Sequence, residues 1–225
     1  MNPLKYITLL IVLGLISMII MLFNNCTTYS SVRDADGNRY KTVKIGDKEW
    51  MAESLKTTRF NDGSGIILEK DTVKWMNKTA PAYCWFKNNG IIYGKNYGAF
   101  YNWFAVESKK LCPAGWHVPS EAEWESLLQM AGGYDHGNKL KAKEYDYWKF
   151  PNTDANDRFH FEARGSGYRD AKGEFAHLYE KVFFWTSTTA GTGKAWAYGL
   201  SFDKKEMERV AKEKTNGFSV RCVKD

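Results

Sequence analysis

Residues 6–23 run for 18 positions without a charged side chain, and no other feature divides the chain so sharply. As a helix this run would span ~27 Å, close to the hydrocarbon thickness of a bilayer. A soluble helix that is apolar on every face for that length must be buried in a large protein, and this chain has only 225 residues. The run is therefore read as a membrane-targeting segment. Lys5 and the α-amino group put positive charge on its leading side, which keeps that side in the cytoplasm and sends everything after Phe23 outward. About 200 residues follow, enough for one sizeable core. With 44% hydrophobic and 16% aromatic residues they are too apolar to stay disordered.

The apolar run is long for a cleaved signal and short for a comfortable span. Cys26 favours one side of that choice. It follows directly in Phe23-Asn24-Asn25-Cys26 and looks like a loose version of the bacterial lipoprotein signal, in which the cysteine is acylated. Lipidation at Cys26 is expected ahead of an uncleaved anchor, and either would hold the chain to a membrane. The division expected is 1–25 signal peptide or membrane anchor, 26–31 short tether and 32–225 one folded domain. That domain would sit in the bacterial cell envelope, facing the periplasm or the exterior, where disulfides persist.

With Cys26 set aside, Cys84, Cys112 and Cys222 allow at most one intramolecular bridge. A Cys112–Cys222 bridge would tie the last strand to the turn-rich Leu111-Cys112-Pro113-Ala114-Gly115 in mid-chain. Cys84, inside Tyr83-Cys84-Trp85-Phe86, reads as a small buried hydrophobe, since nothing adjacent would lower its pKa.

Asp34-Ala35-Asp36-Gly37-Asn38 offers calcium-like oxygens, but its glycine stands fourth where an EF-hand loop needs it sixth. Asp36-Gly37 instead marks a hairpin turn between Val32-Arg33 and the alternating 40–45. Gly46-Asp47 leads into a strand around Trp50, and 82–86 reads as another strand. Asp71-Thr72-Val73 resembles an O-glycosylation acceptor triplet, yet a surface strand is the plainer reading. Two helices are predicted. Residues 98–108 place Phe100, Trp103 and Phe104 on one face, and Ser120-Glu121-Ala122-Glu123 is a capping box ahead of Trp124, Leu127, Leu128 and Ala131, with Gly132-Gly133 as the stop. Short strands are predicted at 159–163, 182–187, 195–202 and 217–223. Strands, then helices, then strands without βαβ alternation argue for an α+β chain with antiparallel sheets.

From Leu111 to Glu125 the chain reads LCPAGWHVPSEAEWE, and with this block it resembles the Fibrobacter succinogenes major paralogous domain, a family of bacterial envelope proteins. The resemblance extends through Asp36-Gly37-Asn38, Trp50-Met51-Ala52-Glu53, residues 97–103, Lys139-Leu140-Lys141-Ala142, Gly167-Tyr168-Arg169-Asp170 and the closing 217–225. It covers roughly residues 32–225 and implies a C-type-lectin-like fold, two helices packed on short antiparallel sheets with long loops, distantly akin to the formylglycine-generating enzymes. It also supports pairing Cys112 with Cys222.

Enzyme readings find little to build on. His117, His136, His160 and His177 show no metal-ligand spacing, so no metal is expected, and no cofactor fingerprint is present. The reactive cysteine pair of the formylglycine-generating relatives has only Cys222 as a counterpart. His117 with Glu121 could be cast as an acid/base pair, although a histidine beside Trp116 and a capped helix is ordinarily structural. A binding module fares better. Trp148, in what a lectin-like fold would use as its long loop, could stack on a sugar, with Tyr168, Arg169, Asp170 and Trp185 as further ligand candidates, although core packing is the plainer reading for each tryptophan. The calcium-binding triplets of sugar-binding lectins are absent, and Asp154, Asn156 and Asp157 read as a solvated loop. The formal charge of +6 is spread through interleaved signs, as in 203–214, so no nucleic-acid partner is expected. The partners expected are the membrane, through the N-terminal segment or its lipid, and a glycan or an envelope protein. An enzyme of the formylglycine-generating type and an inert structural envelope lipoprotein are the alternatives.

Overall fold

The computed structural model describes residues 30–225. The anchor segment 1–25, Cys26 and most of the tether lie outside the described residues.

The described chain opens with the hairpin that Asp36-Gly37 predicts. β1 (Ser31–Arg33) and β2 (Arg39–Ile45) pair antiparallel with Arg33 opposite Arg39. Gly37 takes φ +81° in the turn, and the Asp34 carboxylate accepts from the backbone N–H groups of Asp36 and Asn38. Those oxygens serve the turn. A second tight turn leads to β3 (Lys48–Met51), which buries Trp50.

The middle of the chain is more regular than its sequence suggests. β4 (Ile67–Leu68) is followed by α1 (Thr72–Met76), β5 (Ala82–Cys84), α2 (Gly90–Tyr97), β6 (Phe100–Tyr101) and α3 (Trp103–Glu107). The surface strand expected at Asp71-Thr72-Val73 is instead a helix start, because the Asp71 side chain accepts from the Lys74 N–H as an N-cap. The helix expected over 98–108 is only its second half. Gly98 ends α2 at φ +74°, with no room for a Cβ against the Leu55 carbonyl, and the Asn102 side chain caps α3 by accepting from the Ala105 N–H. Phe100 therefore belongs to a strand.

β7 (Trp116–His117) leads to α4 (Glu121–Ala131). Here the capping box forms as predicted, Gly132 adopts φ +106° at the C-cap, and Trp124, Leu127, Leu128 and Ala131 face the core. After a long irregular stretch come β8 (Ser166–Arg169), β9 (Phe175–Leu178), β10 (Lys181–Thr189), β11 (Lys194–Ser201), β12 (Met207–Glu213) and β13 (Val223–Lys224). The strand expected at 159–163 does not form. His160 and Glu162 sit at φ 54° and 50°, in the left-handed region, which breaks the pleat. The mixed-charge run after Asp203 holds β12, an edge strand whose charges face solvent.

Among the described residues the strands form two five-stranded sheets, β1-β2-β3-β13-β7 and β12-β11-β10-β8-β9, and one three-stranded sheet, β4-β5-β6. Pairing is antiparallel except for β4 with β5 and β8 with β10. The chain is thus α+β, rich in sheet with short helices. The segment 217–223 was expected as one strand, and it makes single bridges to each sheet in turn. Gly217 and Arg169 exchange backbone hydrogen bonds, as do Phe218 and Tyr101, the Trp185 N–H donates to the Ser219 carbonyl, and Val223 pairs with Trp50 and His117. Cys222 bonds to Cys112 as the family resemblance implies, across 110 positions of sequence. Cys84 is free and buried, as read from its neighbours.

Buried cations, Arg221 and Lys141 among them, hold irregular backbone against this core. The Arg221 guanidinium donates to the carbonyls of Met51, Phe161 and Glu162 at 3.0, 2.7 and 2.9 Å and lies over the Phe161 ring. Lys141 donates to the carbonyls of Ser201 and Lys204, and burial pulls its ammonium down to about 8.

Two measurements test these supports. Replacing both Cys112 and Cys222 with serine is expected to lower unfolding stability by about 2–4 kcal/mol, read by urea denaturation, because a loop this long gains much entropy in the unfolded chain once it is released. Burial lifts Asp157 to about 6. The native state then keeps a proton that the unfolded chain has lost near its ordinary value, so stability should fall as pH rises from about 4 to about 6. Asp157→Asn retains an acceptor for the Glu162 N–H and tolerates φ 44°. It should flatten that slope in chemical denaturation series across the window.

Candidate functional site

The residues 145–150, Tyr-Asp-Tyr-Trp-Lys-Phe, put four aromatics into six positions with no helical or strand period. Such a segment cannot bury every ring on one side, and here the rings divide. Trp148 turns inward to 1% exposure and its Nε1 donates to the Ala163 carbonyl at 2.8 Å. Tyr145 and Phe150 turn outward, 65% and 76% exposed, with their ring centres 6.3 Å apart.

A second segment, 178–180, lies alongside. The Lys149 N–H donates to the Tyr179 carbonyl, and the Tyr179 N–H donates to the Gly165 carbonyl, so the two backbones are tied together. Tyr179 takes φ 65° and shows 40% of its surface. Between these walls is an open groove of about 740 Å³, floored by the edge of Trp148 and rimmed by Asp146, Lys149 and Glu180. Lys149 Nζ and His177 Nδ1 approach the two Glu180 oxygens at 2.9 and 3.0 Å. Lys149 first, then His177, hold the Glu180 carboxyl below its ordinary range. Glu180 also borders a second hollow of about 550 Å³ that carries Lys181, Ser201, Asp203, Lys204, Glu206 and Glu208. Aromatic surface beside groups of both charge signs suits a ligand with an apolar ring face and hydroxyl groups.

The residues predicted from the sequence do not assemble into one exposed site. Trp185 is fully buried, its Nε1 donating to the Tyr101 carbonyl and its ring 4.4 Å from that of Phe218. Arg169 is buried as well. It donates to the carbonyls of Gly173, Glu69 and Lys70 and is held between Trp75 and Phe175, and at 0% exposure it is out of reach of a ligand in solvent. The Asp170 carboxylate accepts from the N–H groups of Lys172 and Glu174 in its own turn. Tyr168 is half-buried under a stacked His177. Trp148 reaches the groove only as its floor. The donors of Trp148, Arg169 and Trp185 go to backbone carbonyls, the Asp170 carboxylate goes to its own turn, and Tyr168 packs among His177, Phe183 and Phe218. The residues missed are Tyr145, Phe150, Tyr179, Lys149 and Glu180. The available signal was the aperiodic aromatic density around Trp148.

Other sequence candidates resolve as supports. His117 pairs with Glu123 and Asp225, at 2.9 and 2.6 Å, while Glu121 goes to Arg209. Burial raises Glu123, but hydrogen bonds from Ser120 and His117 outweigh it and the net shift is downward. Burial pushes the Cys84 thiol up to about 12, which leaves it a poor nucleophile at neutral pH. Among the described residues no three His, Cys, Asp or Glu side chains gather in a metal-holding group, and no helix is long and apolar enough to cross a membrane.

Because Trp148 is core, Trp148→Ala should cost about 3–5 kcal/mol of unfolding stability, measured by urea denaturation. Phe150→Ala should leave stability within about 0.5 kcal/mol of the parent.

No curated protein and no solved structure matches the chain. The model of the Fibrobacter succinogenes major domain matches residues 43–224, which takes in the LCPAGWHVPSEAEWE block, the disulfide and the groove together. By that match the chain belongs to the Fibrobacter succinogenes major domain family.

Proposed function

We propose that this protein is an envelope-anchored, saccharide-binding module of C-type-lectin-like fold, tethered by its N-terminal segment and Cys26. The observation that carries the reading is the groove of Tyr145, Phe150 and Tyr179. A phenylalanine 76% exposed forgoes about 2 kcal/mol of burial, and nothing in the packing of the domain needs it outside. Exposed rings set side by side above polar rim groups fit the apolar face of a pyranose and its equatorial hydroxyls. Asp146, Lys149 and Glu180 stand within reach of such hydroxyls at the rim. The lectin-like reading draws further support from the disulfide between the mid-chain turn and the last strand, and from the position of the groove beside the long irregular stretch.

The rival reading, an oxidase of the formylglycine-generating type, requires reactive thiols. Cys222 is committed to the disulfide and Cys84 is buried with a raised pKa. Both facts favour binding over cysteine chemistry.

A glycan array probed with the detergent-solubilised full chain tests the proposal. Saturable binding to a defined set of saccharides is expected, weakened at least tenfold by Tyr145→Ala with Phe150→Ala and unaltered by Met130→Ala. A blank array, or affinity indifferent to the double substitution, would sink it.

A further inference from the structure

The helix α2 is built inside out. Gly90 and Gly94, one turn apart, lie on the side chain of Trp85 so closely that a Cβ at either would come within 2.9–3.0 Å of the indole. Tyr97 completes this buried face. The isoleucines lie off it, Ile91 at 96% and Ile92 at 60% exposure. An amphipathic surface helix would place its large apolar residues inward. Here two glycines and two tyrosines, Tyr93 and Tyr97, face the protein and two of the most apolar residues face away from it.

The surroundings extend the feature. Leu68 of β4, an unpaired edge of its sheet, borders the same shallow hollow as Ile91, together with Lys70 and Lys87. Ile67 and Leu68 are 51% and 39% exposed. Lys95 stands one turn after Ile91. Residues 67–97 carry five lysines against Glu69 and Asp71, and both acids are engaged, Glu69 with Lys78 and Asp71 with the start of α1. Lys70, Lys74, Lys87 and Lys95 are exposed. The surface is therefore apolar at its tip and basic around it.

We infer that this face docks on an anionic lipid surface, with Ile91 and Ile92 entering the acyl boundary and the lysines meeting headgroup phosphates. A second copy of the chain fits less well, because the same lysines would oppose each other across a two-fold contact. The point on the domain that follows the N-terminal segment also favours lipid. Ser31, to which the N-terminal segment is joined, lies five residues before Asp36, at most about 18 Å along an extended chain. Asp36 lines a hollow with Gly90, Gly94 and Lys95. A chain held at a membrane through that segment carries this face at high effective concentration, so a contact too weak to recruit a free protein would suffice. The inference rests on the anchoring part of the proposed function and is independent of the saccharide groove.

The test uses the full chain in vesicles of phosphatidylcholine with phosphatidylglycerol, with brominated acyl chains as the quencher. Ile91→Trp and Met130→Trp are each compared with the parent chain. The emission added by Ile91→Trp should fall at least twofold with brominated lipid, and that added by Met130→Trp should not. Omitting phosphatidylglycerol, or combining Lys70→Gln, Lys87→Gln and Lys95→Gln, should halve the quenching at position 91. A chain that floats with the vesicles yet shows no quenching at position 91 overturns the lipid face alone. A chain that does not float overturns the anchoring as well. Concentration-dependent self-association abolished by Ile91→Glu, without quenching, assigns the face to a second copy and also overturns the inference.

Discussion

The last nine residues are bound to nearly everything else. Between Gly217 and Val223 the backbone bridges strands of all three sheets, one residue at a time, and Cys222 adds a covalent link to the turn before β7. The face of β10 and β11 packs Phe184 and Tyr198 against Trp124 of α4, but among the described residues no layer of long helices joins the three sheets to one another. A strand shared among sheets does so instead. Because its partners are separated by up to about 170 positions in sequence, as in the Arg221 contact with Met51, the arrangement has high contact order, and slow, late-closing folding is its natural consequence.

Sharing one strand leaves long connections without sheet partners, and buried cations compensate. Arg169 and Arg221 each donate to three backbone carbonyls and lie against aromatic rings, with no carboxylate among those hydrogen-bond partners. Lys141 does the same for the turn after β11. A planar guanidinium can satisfy several carbonyls that point to one place, and the rings offset part of its desolvation. With these loops rigidly held, the 145–150 segment can present rings to solvent without collapsing onto the core. The exposed aromatics of the groove and the outward isoleucines of α2 are then features of a stiff surface.

How much of this was readable in advance depended on range. The turn at Asp36-Gly37 and the helix from Ser120 to Gly132 were legible to the residue, because a glycine at positive φ and a capping box are settled within a few positions. Asp71 as a cap and Asn102 as a cap were equally local but stood before helices of only five residues, too short for a periodic apolar face to announce them. The strand expected at 159–163 failed because alternation of apolar residues says nothing about a left-handed backbone held in place by Arg221 from 60 residues away. The candidate ligand residues failed for a related reason. Arg169 and Trp185 carry donors that suit a ligand, and the fold spends those donors on its own carbonyls.

The sequence by itself determined the apolar leading segment, the α+β character, the family, the buried thiol and the residues able to form the disulfide, since each depends on composition, short-range pattern or a motif read in order. Tertiary structure alone decided which aromatics are core and which are surface. Burial is a property of what lies opposite a side chain: a segment that no local pattern connects to it closes over Trp148, while Phe150 and Ile91 are left exposed.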